Sequence, residues 1–273
     1  MRTHVITGAS DGIGAAASRQ LVARGDRVVL VGRSPEKTAA LAAELGMPFH
    51  VADFGELAQV RRLAGELLSA YPRIDVLANN AGGIFGERML TGDGFEQTFQ
   101  VNHLAPFLLT TLLRERLVES AASVIQTSSA AARLFSRFNV TDLNGARRYS
   151  GRVAYGNAKL ANVLFTQELQ RRWGGDGVSA AAFHPGVVAT QFAGNTRGPF
   201  RFMYHNPLTR RLLTSTEEGG RRLVFLAVGN PGADWMPGAY YEKDRPTRTH
   251  PLATDLDTAR ELWERSEEMV RLG

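Results

Sequence analysis

The feature that most constrains this chain is an alternation. Short runs rich in β-branched and apolar residues recur between stretches of helical periodicity, from the first residues to about Gly238. The runs are Thr3–Thr7, Arg27–Gly32, Phe49–Ala52, Asp75–Asn79, Ser123–Thr127, Val178–Phe183 and Gly238–Tyr241. Parallel strands need a long crossover between them, and a helix is the usual one. The alternation therefore predicts βαβ units in an α/β fold: a doubly wound, seven-stranded, mostly parallel sheet with helices on both faces.

The intervening helices have readable ends. Ser34-Pro35 has the form of an N-cap followed by proline at the first helical position, and Gly46 stands just past the end. Between Asp53 and Tyr71, the residues Leu57, Val60, Leu63, Ala64, Leu67 and Leu68 make one apolar face. No repeat, linker or composition break divides the 273 residues, so a single domain spanning 1–273 is expected. Two stretches interrupt the rhythm. Arg133–Gly151 is polar, irregular and arginine-rich; Val187–Thr214 holds Gly194, Gly198, Pro199 and Pro207 among Phe192, Phe200, Phe202, Met203 and Tyr204. The second reads as a substrate lid.

Composition narrows the chemistry. There is no cysteine, which removes disulfides, thiolate nucleophiles and cysteine-held metals and fits a reducing compartment. The six histidines have no metal-ligand spacing, so no metal site is expected. The net charge of +5 is carried almost wholly by arginines scattered among acids, with Lys37, Lys159 and Lys243 as the lysines. Scattered charge does not make the basic face that nucleic acid needs, so no nucleic-acid partner is expected. Val5 and Ile6 already begin a strand, so no signal peptide or membrane anchor is read, and a cytoplasmic protein is expected.

The string TGASDGIG, Thr7 to Gly14, follows the first strand and opens a helix. Glycines at Gly8, Gly12 and Gly14 permit a tight turn and let backbone approach a pyrophosphate at the helix N-terminus. That is the phosphate-binding corner of a Rossmann fold. At the end of the second strand a dinucleotide fold selecting NAD carries an acid for the ribose 2′-hydroxyl, whereas arginine suits a 2′-phosphate. Here the strand ends in Gly32-Arg33. NADP(H) is the preferred cofactor on that ground, with NAD(H) the alternative; Asp11 in the loop weighs against a nearby phosphate.

Tyr155 and Lys159 stand four apart near the start of a helix expected over Arg152–Trp173, and so share a face. With TGASDGIG, the segment NNAG (Asn79–Gly82), Ser129 in VIQTSSAA and Asn102 in VNHLAPFLLT, these residues make the sequence resemble the short-chain dehydrogenase/reductase family over nearly its whole length. Within that family it looks most like the retinol-dehydrogenase and WW-domain-oxidoreductase branch. Phe99–Thr110, Tyr155–Leu169, the long Ser129-to-Tyr155 spacer and the C-terminal GAYYEKDRPTRTHPLATDLDTARELWERSEEM carry that likeness. The lid sequence departs from it, so retinoid specificity is not implied.

The resemblance implies a proton-and-hydride mechanism. Tyr155 would be the general acid/base, with Lys159 and a positive nicotinamide ring lowering its pKa from about 10. Lys159 would also bind ribose hydroxyls, Ser129 rather than Ser128 would hold the substrate oxygen, and Asn102 would hold a relay water. Cofactor contacts are implied at Gly8, Ser10, Asp11, Gly12, Ile13, Gly14, Arg33, Asp53, Phe54, Asn80, Ala81, Gly82, Tyr155, Lys159, Pro185, Gly186, Val188 and Thr190. The leading function is interconversion of a fairly apolar carbonyl compound and its alcohol. The alternatives are a non-redox or transient-redox reaction of epimerase or lyase type, and a catalytically silent cofactor sensor. Monomer and homodimer are both compatible with the sequence.

Overall fold

The computed structural model of the chain describes residues 1–186 and 214–272. Strands β1 (Thr3–Thr7), β2 (Arg27–Gly32), β3 (Phe49–Val51), β4 (Val76–Asn79), β5 (Ser123–Thr127), β6 (Ser179–His184), β7 (Tyr240–Glu242) and β8 (Arg245–Pro246) form one sheet in the order β3-β2-β1-β4-β5-β6-β7-β8. All pairings are parallel except β7 with β8. Every strand expected from the alternation is present to within about two residues at each end. The eighth strand was not expected. It arises because Lys243 and Asp244 both adopt positive φ, 49° and 61°, the geometry of a two-residue hairpin turn that folds Arg245–Pro246 back on the sheet edge.

The helices are α1 (Gly12–Ala23), α2 (Pro35–Leu45), α3 (Leu57–Ala70), α4 (Gln97–Phe99), α5 (Ala105–Leu112), α6 (Arg114–Glu119), α7 (Ala131–Leu134), α8 (Gly151–Trp173), α9 (Thr216–Val228) and α10 (Leu256–Leu272). The ends of α2 are as expected. The Ser34 hydroxyl accepts from the Lys37 amide at 3.3 Å, and Gly46 takes the left-handed conformation that closes the helix.

Side chains alternate across the sheet and feed two cores. Val5, Leu77 and Val124 face α3, α5, α8 and α10; Ile6, Leu30 and Ile125 face α1, α2 and α9. Helix α8 is buried around most of its circumference, including Lys159, Asn162 and Glu168, because α10 lies along it. On the other side α1 presents Ala15, Ala16 and Ala17, and Gly220 of α9 packs directly onto that small-residue surface.

The chain winds from β1 outward to β3, then crosses to β4 and winds the other way. The direction reverses between β1 and β4, and a ligand crevice opens there outside the carboxyl ends of the strands. Among the described residues, no helix is long and apolar enough to cross a membrane.

Candidate active site

The carboxyl end of β1 is built as a cradle. Gly14 is buried in the first turn of α1, and a Cβ there would run into the Gly8 carbonyl oxygen and stand 2.8 Å from Asn80 Nδ2. The loop can thus close on itself only with a hydrogen at position 14. Asp11 caps α1, accepting from the Gly12 amide at 2.7 Å, and pairs with Lys37 at 3.1 Å. Its charge is therefore countered locally, which weakens the objection it raised to a neighbouring phosphate. Ser10 and Ile13 are part-buried in the same turn. Arg33 stands exposed beside them at the end of β2, with no ion pair among the described residues.

The loop is braced from β4. Thr7 Oγ1 accepts from the Asn80 and Ala81 amides, both at 3.0 Å, and donates to the Ala78 carbonyl at 3.2 Å. Asn80 Nδ2 donates to the Thr7 and Gly8 carbonyls, and Asn80 Oδ1 accepts from Thr127 Oγ1 at 3.3 Å. The Asn80 side chain is thus committed to joining β1, β4 and β5, leaving Ala81 and Gly82 to flank the crevice. Asn79, its neighbour, points into the core and donates to Thr110 Oγ1 at 2.9 Å.

Two other expected contacts need refinement. The Phe54 ring is buried in the core, so only its backbone is available to a ligand. Asp53 uses Oδ1 to hold the Gly55 amide at 2.8 Å.

The reacting end is assembled from α4–α5, β5 and α8. Asn102 sits in a π-helical turn, Gln100–Leu104, between α4 and α5. Its amide donates to the carbonyls of Gly83 and Thr98, each at 2.8 Å, and accepts from the Gly83 amide at 3.2 Å. The residue four on is Pro106, which has no N–H, so the Asn102 carbonyl has no α-helical i+4 donor. A Cβ at Gly82 would stand 2.5 Å from Asn102 Oδ1 and 3.2 Å from Lys159 Nζ, so these two groups converge on that glycine. Lys159 Nζ donates to the Thr127 carbonyl at 3.1 Å and lies 5.5 Å from the centroid of the half-buried Tyr155 ring. Burial lowers its pKa to about 7.

Serines 128 and 129 divide their work. Ser128 is buried and its hydroxyl donates to the Lys159 main-chain carbonyl at 2.7 Å, locking α8 to β5. Ser129 is part-exposed, and its hydroxyl accepts from the Ala131 amide at 3.2 Å. The loop Gly83–Gly86 lies across the start of α8, where a Cβ on Gly151 would meet the carbonyls of Phe85 and Gly86. Half-buried Ile84 and Phe85 therefore border Tyr155's helix. On the far side β6 ends at His184, followed by Pro185 and Gly186, and Thr214 fills the space a Cβ on Gly186 would need. Gly186 and Thr214 are thus in contact just past the end of β6. Val188, Thr190 and the expected lid, apart from Thr214, lie outside the described residues.

Residues 2–199 match the model of the short chain dehydrogenase family. This chain is a short-chain dehydrogenase. Over 97 % of its length it is 43 % identical to 91 % of a Streptomyces sp. (strain C5) protein named as a candidate daunorubicin C-13 ketoreductase. It is 36 % identical to human retinol dehydrogenase 13, across 99 % of this chain and 85 % of that protein. Among solved structures, an uncharacterised Mycobacterium paratuberculosis protein superimposes at TM-score 0.79 with 32 % identity, covering 99 % of this chain and 94 % of its own. The retinol-dehydrogenase-like branch is therefore the right one, and the protein is an oxidoreductase of CH–OH or carbonyl groups using a nicotinamide cofactor. The glycine cradle, with its backbone packed where Cβ atoms would clash, suits the pyrophosphate of such a group.

The short-chain dehydrogenase also holds polar residues that the motif reading passed over. Asn162 Nδ2 donates to the Thr127 carbonyl at 3.2 Å, the same oxygen that receives Lys159. His103, wholly buried, links Asn162 to Ser266 of α10. A signal existed: Asn162 is three residues after Lys159, a polar residue within the otherwise apolar run Leu160–Phe165.

Proposed function

We propose that the protein is an NADP(H)-dependent carbonyl reductase, working reversibly as an alcohol dehydrogenase, with Tyr155 as general acid/base. The observation that carries this reading is the convergence of Lys159 and Asn102 on Gly82, with Tyr155 one helical turn from Lys159 and the Ser129 hydroxyl part-exposed just past the end of β5. The cofactor, when bound, supplies or accepts the hydride. Ser129 holds the substrate oxygen by hydrogen bonding, and the Tyr155 phenol gives that oxygen its proton in reduction and removes it in oxidation. Lys159 orients ribose hydroxyls and, in its ammonium form, favours the Tyr155 phenolate. A water held by Asn102 returns the proton to solvent.

Ile84 and Phe85 beside α8 favour a substrate with an apolar body. The relatives named for a ketoreductase and a retinol dehydrogenase fit that choice, since each name implies a carbonyl or alcohol on a largely apolar skeleton.

NADP(H) preference rests on Arg33. That arginine stands exposed just past the end of β2 with no ion pair among the described residues, while the neighbouring Lys37 is tied to Asp11. Titration with NADPH and NADH by fluorescence, on the wild type and Arg33→Ala, tests the reading. Removing a charge-assisted bond to a 2′-phosphate should weaken NADPH by about 10–100-fold and leave NADH nearly unchanged. Equal loss for both cofactors, or tighter binding of NADH by the wild type, would overturn the preference. Binding of neither would sink the proposed function.

A further inference from the structure

Behind the crevice a buried polar chain runs from the C-terminal helix to the active-site lysine. Ser266 Oγ lies 3.0 Å from His103 Nε2, His103 Nδ1 lies 3.4 Å from Asn162 Oδ1, and Asn162 Nδ2 reaches the Thr127 carbonyl at 3.2 Å. The direction of each bond follows from the last. The Thr127 carbonyl can only accept, so Asn162 turns its Nδ2 toward it and its Oδ1 toward His103. Oδ1 also only accepts, so His103 carries its proton on Nδ1. Nε2 is then the acceptor, and the Ser266 hydroxyl donates to it. One tautomer and one amide orientation satisfy the whole chain.

The setting makes that arrangement costly to keep without a purpose. His103 has no exposed surface and is packed against Phe99, Phe107 and Phe165, with ring centroids 5.0, 6.1 and 6.0 Å away. Its burial lowers its pKa to about 4, so the ring is neutral throughout the working range. A phenylalanine in such an aromatic nest would leave no polar atom to satisfy. The chain ends, moreover, on the oxygen to which Lys159 Nζ donates, at 3.1 Å.

We infer that His103 is a positioning residue for Lys159: through Asn162 it supplies the second hydrogen bond to the Thr127 carbonyl and so sets how firmly that oxygen holds the lysine amine. This rests on the reading of Lys159 as the cofactor-orienting lysine. With Asn162 donating, the Thr127 oxygen is a weaker acceptor for the ammonium, and Lys159 keeps its other donors aimed past Gly82 into the crevice. Without it, the oxygen claims the ammonium more strongly and draws it away. The same chain couples α10, whose Ser266 is 163 residues from His103 in sequence, to the lysine.

The groups facing this chain are few. Around His103, the 97–112 segment presents Phe99 and Phe107, α8 presents Asn162 and Phe165, and α10 presents Ser266; no charged side chain among the described residues shifts it. Among the described residues, Tyr155 is the titratable side chain against which Lys159 lies.

Because the chain has only three lysines, Lys37, Lys159 and Lys243, Lys159 can be followed alone by ε-13C-lysine NMR, assigned with Lys159→Met. The experiment titrates the cofactor-free protein, then measures NADPH affinity, for wild type, His103→Phe, His103→Asn and Ser266→Ala. In His103→Phe the Lys159 midpoint should rise by about half a unit or more, and NADPH should bind about threefold or more weakly. His103→Asn, which returns an amide donor near the Nδ1 position, should bring the midpoint back toward wild type. Ser266→Ala frees the tautomer and should shift it the same way as His103→Phe by a smaller amount. A wild-type midpoint in His103→Phe, with only the melting temperature lowered, would overturn the inference. If that variant does not fold, Ser266→Ala decides: an upward shift supports the inference and an unmoved midpoint overturns it. Failure of the proposed function looks different, since cofactor binding would be missing in the wild type while the lysine midpoint stayed readable.

Discussion

Replacing Tyr155 by phenylalanine should lower turnover of a carbonyl substrate by about 10²–10⁴-fold, the range a positioned general acid contributes. The substitution removes one oxygen and nothing else. The ring stays half-buried on α8, 5.5 Å from Lys159 Nζ, so its packing is preserved and stability should change by less than about 1 kcal/mol. The glycine cradle lies on β1 and α1, and its bracing by Thr7 and Asn80 does not involve Tyr155. Cofactor affinity should therefore fall by no more than the loss of the phenol's own contact. The measurement is a steady-state comparison of NADPH consumption with an aromatic ketone panel, beside a fluorescence titration of each protein. Full activity in the variant would mean that the proton comes from another group, and the assignment of Tyr155 would fall.

The second large effect concerns Lys159 and has a sign that can be worked out. Burial lowers the lysine's pKa from 10.5 to about 7 in the folded protein. Between those values the unfolded chain holds a proton that the folded one does not. Stability therefore rises with pH across that window, and below about pH 7 the fold bears the whole cost of an enclosed ammonium. Lys159→Met keeps the unbranched stem, one heavy atom shorter, and removes the titration. It should flatten the slope between pH 7 and 10 and make the protein more stable than wild type near pH 7, by an amount on the order of a few kcal/mol. Cofactor affinity and turnover should fall together, the familiar exchange of stability for function at a site. His103 and His184 are held neutral down to about pH 4, so they add no slope above pH 7. Urea unfolding at pH 7, 8.5 and 10 decides it: parallel slopes in the two proteins would mean that the folded lysine titrates near its ordinary value.

Most of the fold was legible because its signals are local. Alternation of short apolar runs with helical periodicity located β1 to β7, and Ser34, Pro35 and Gly46 marked the ends of α2 by residue type alone. The glycine loop and the Tyr155–Lys159 pair are equally local: one needs glycine where backbones touch, the other needs only the helical repeat to put both side chains on one face. The closing helix could have been read the same way, since Ala259, Leu262, Trp263, Ser266 and Val270 recur at helical spacing and all are buried. β8 could not, because two residues carry no period and only the Lys243-Asp244 turn creates it.

By itself, then, the sequence determined the parallel sheet, the cradle at its switch point and the candidate acid/base pair. What each polar side chain meets was decided by tertiary structure. Ser128 and Ser129 are adjacent and identical in type, yet one is buried with its hydroxyl spent on the Lys159 carbonyl while the other is part-exposed and accepts from the Ala131 amide. Asn80 matches a cofactor motif but is consumed in joining three strands, and the Phe54 ring turns into the core. Lys159 owes its lowered pKa to burial by segments far from it in sequence, and its carbonyl partner is shared with a chain that ends on α10. The physical reason is common to all four. Backbone periodicity is set by neighbours along the chain, whereas solvation and hydrogen-bond partners are set by neighbours in space, which exist only once the layers have packed.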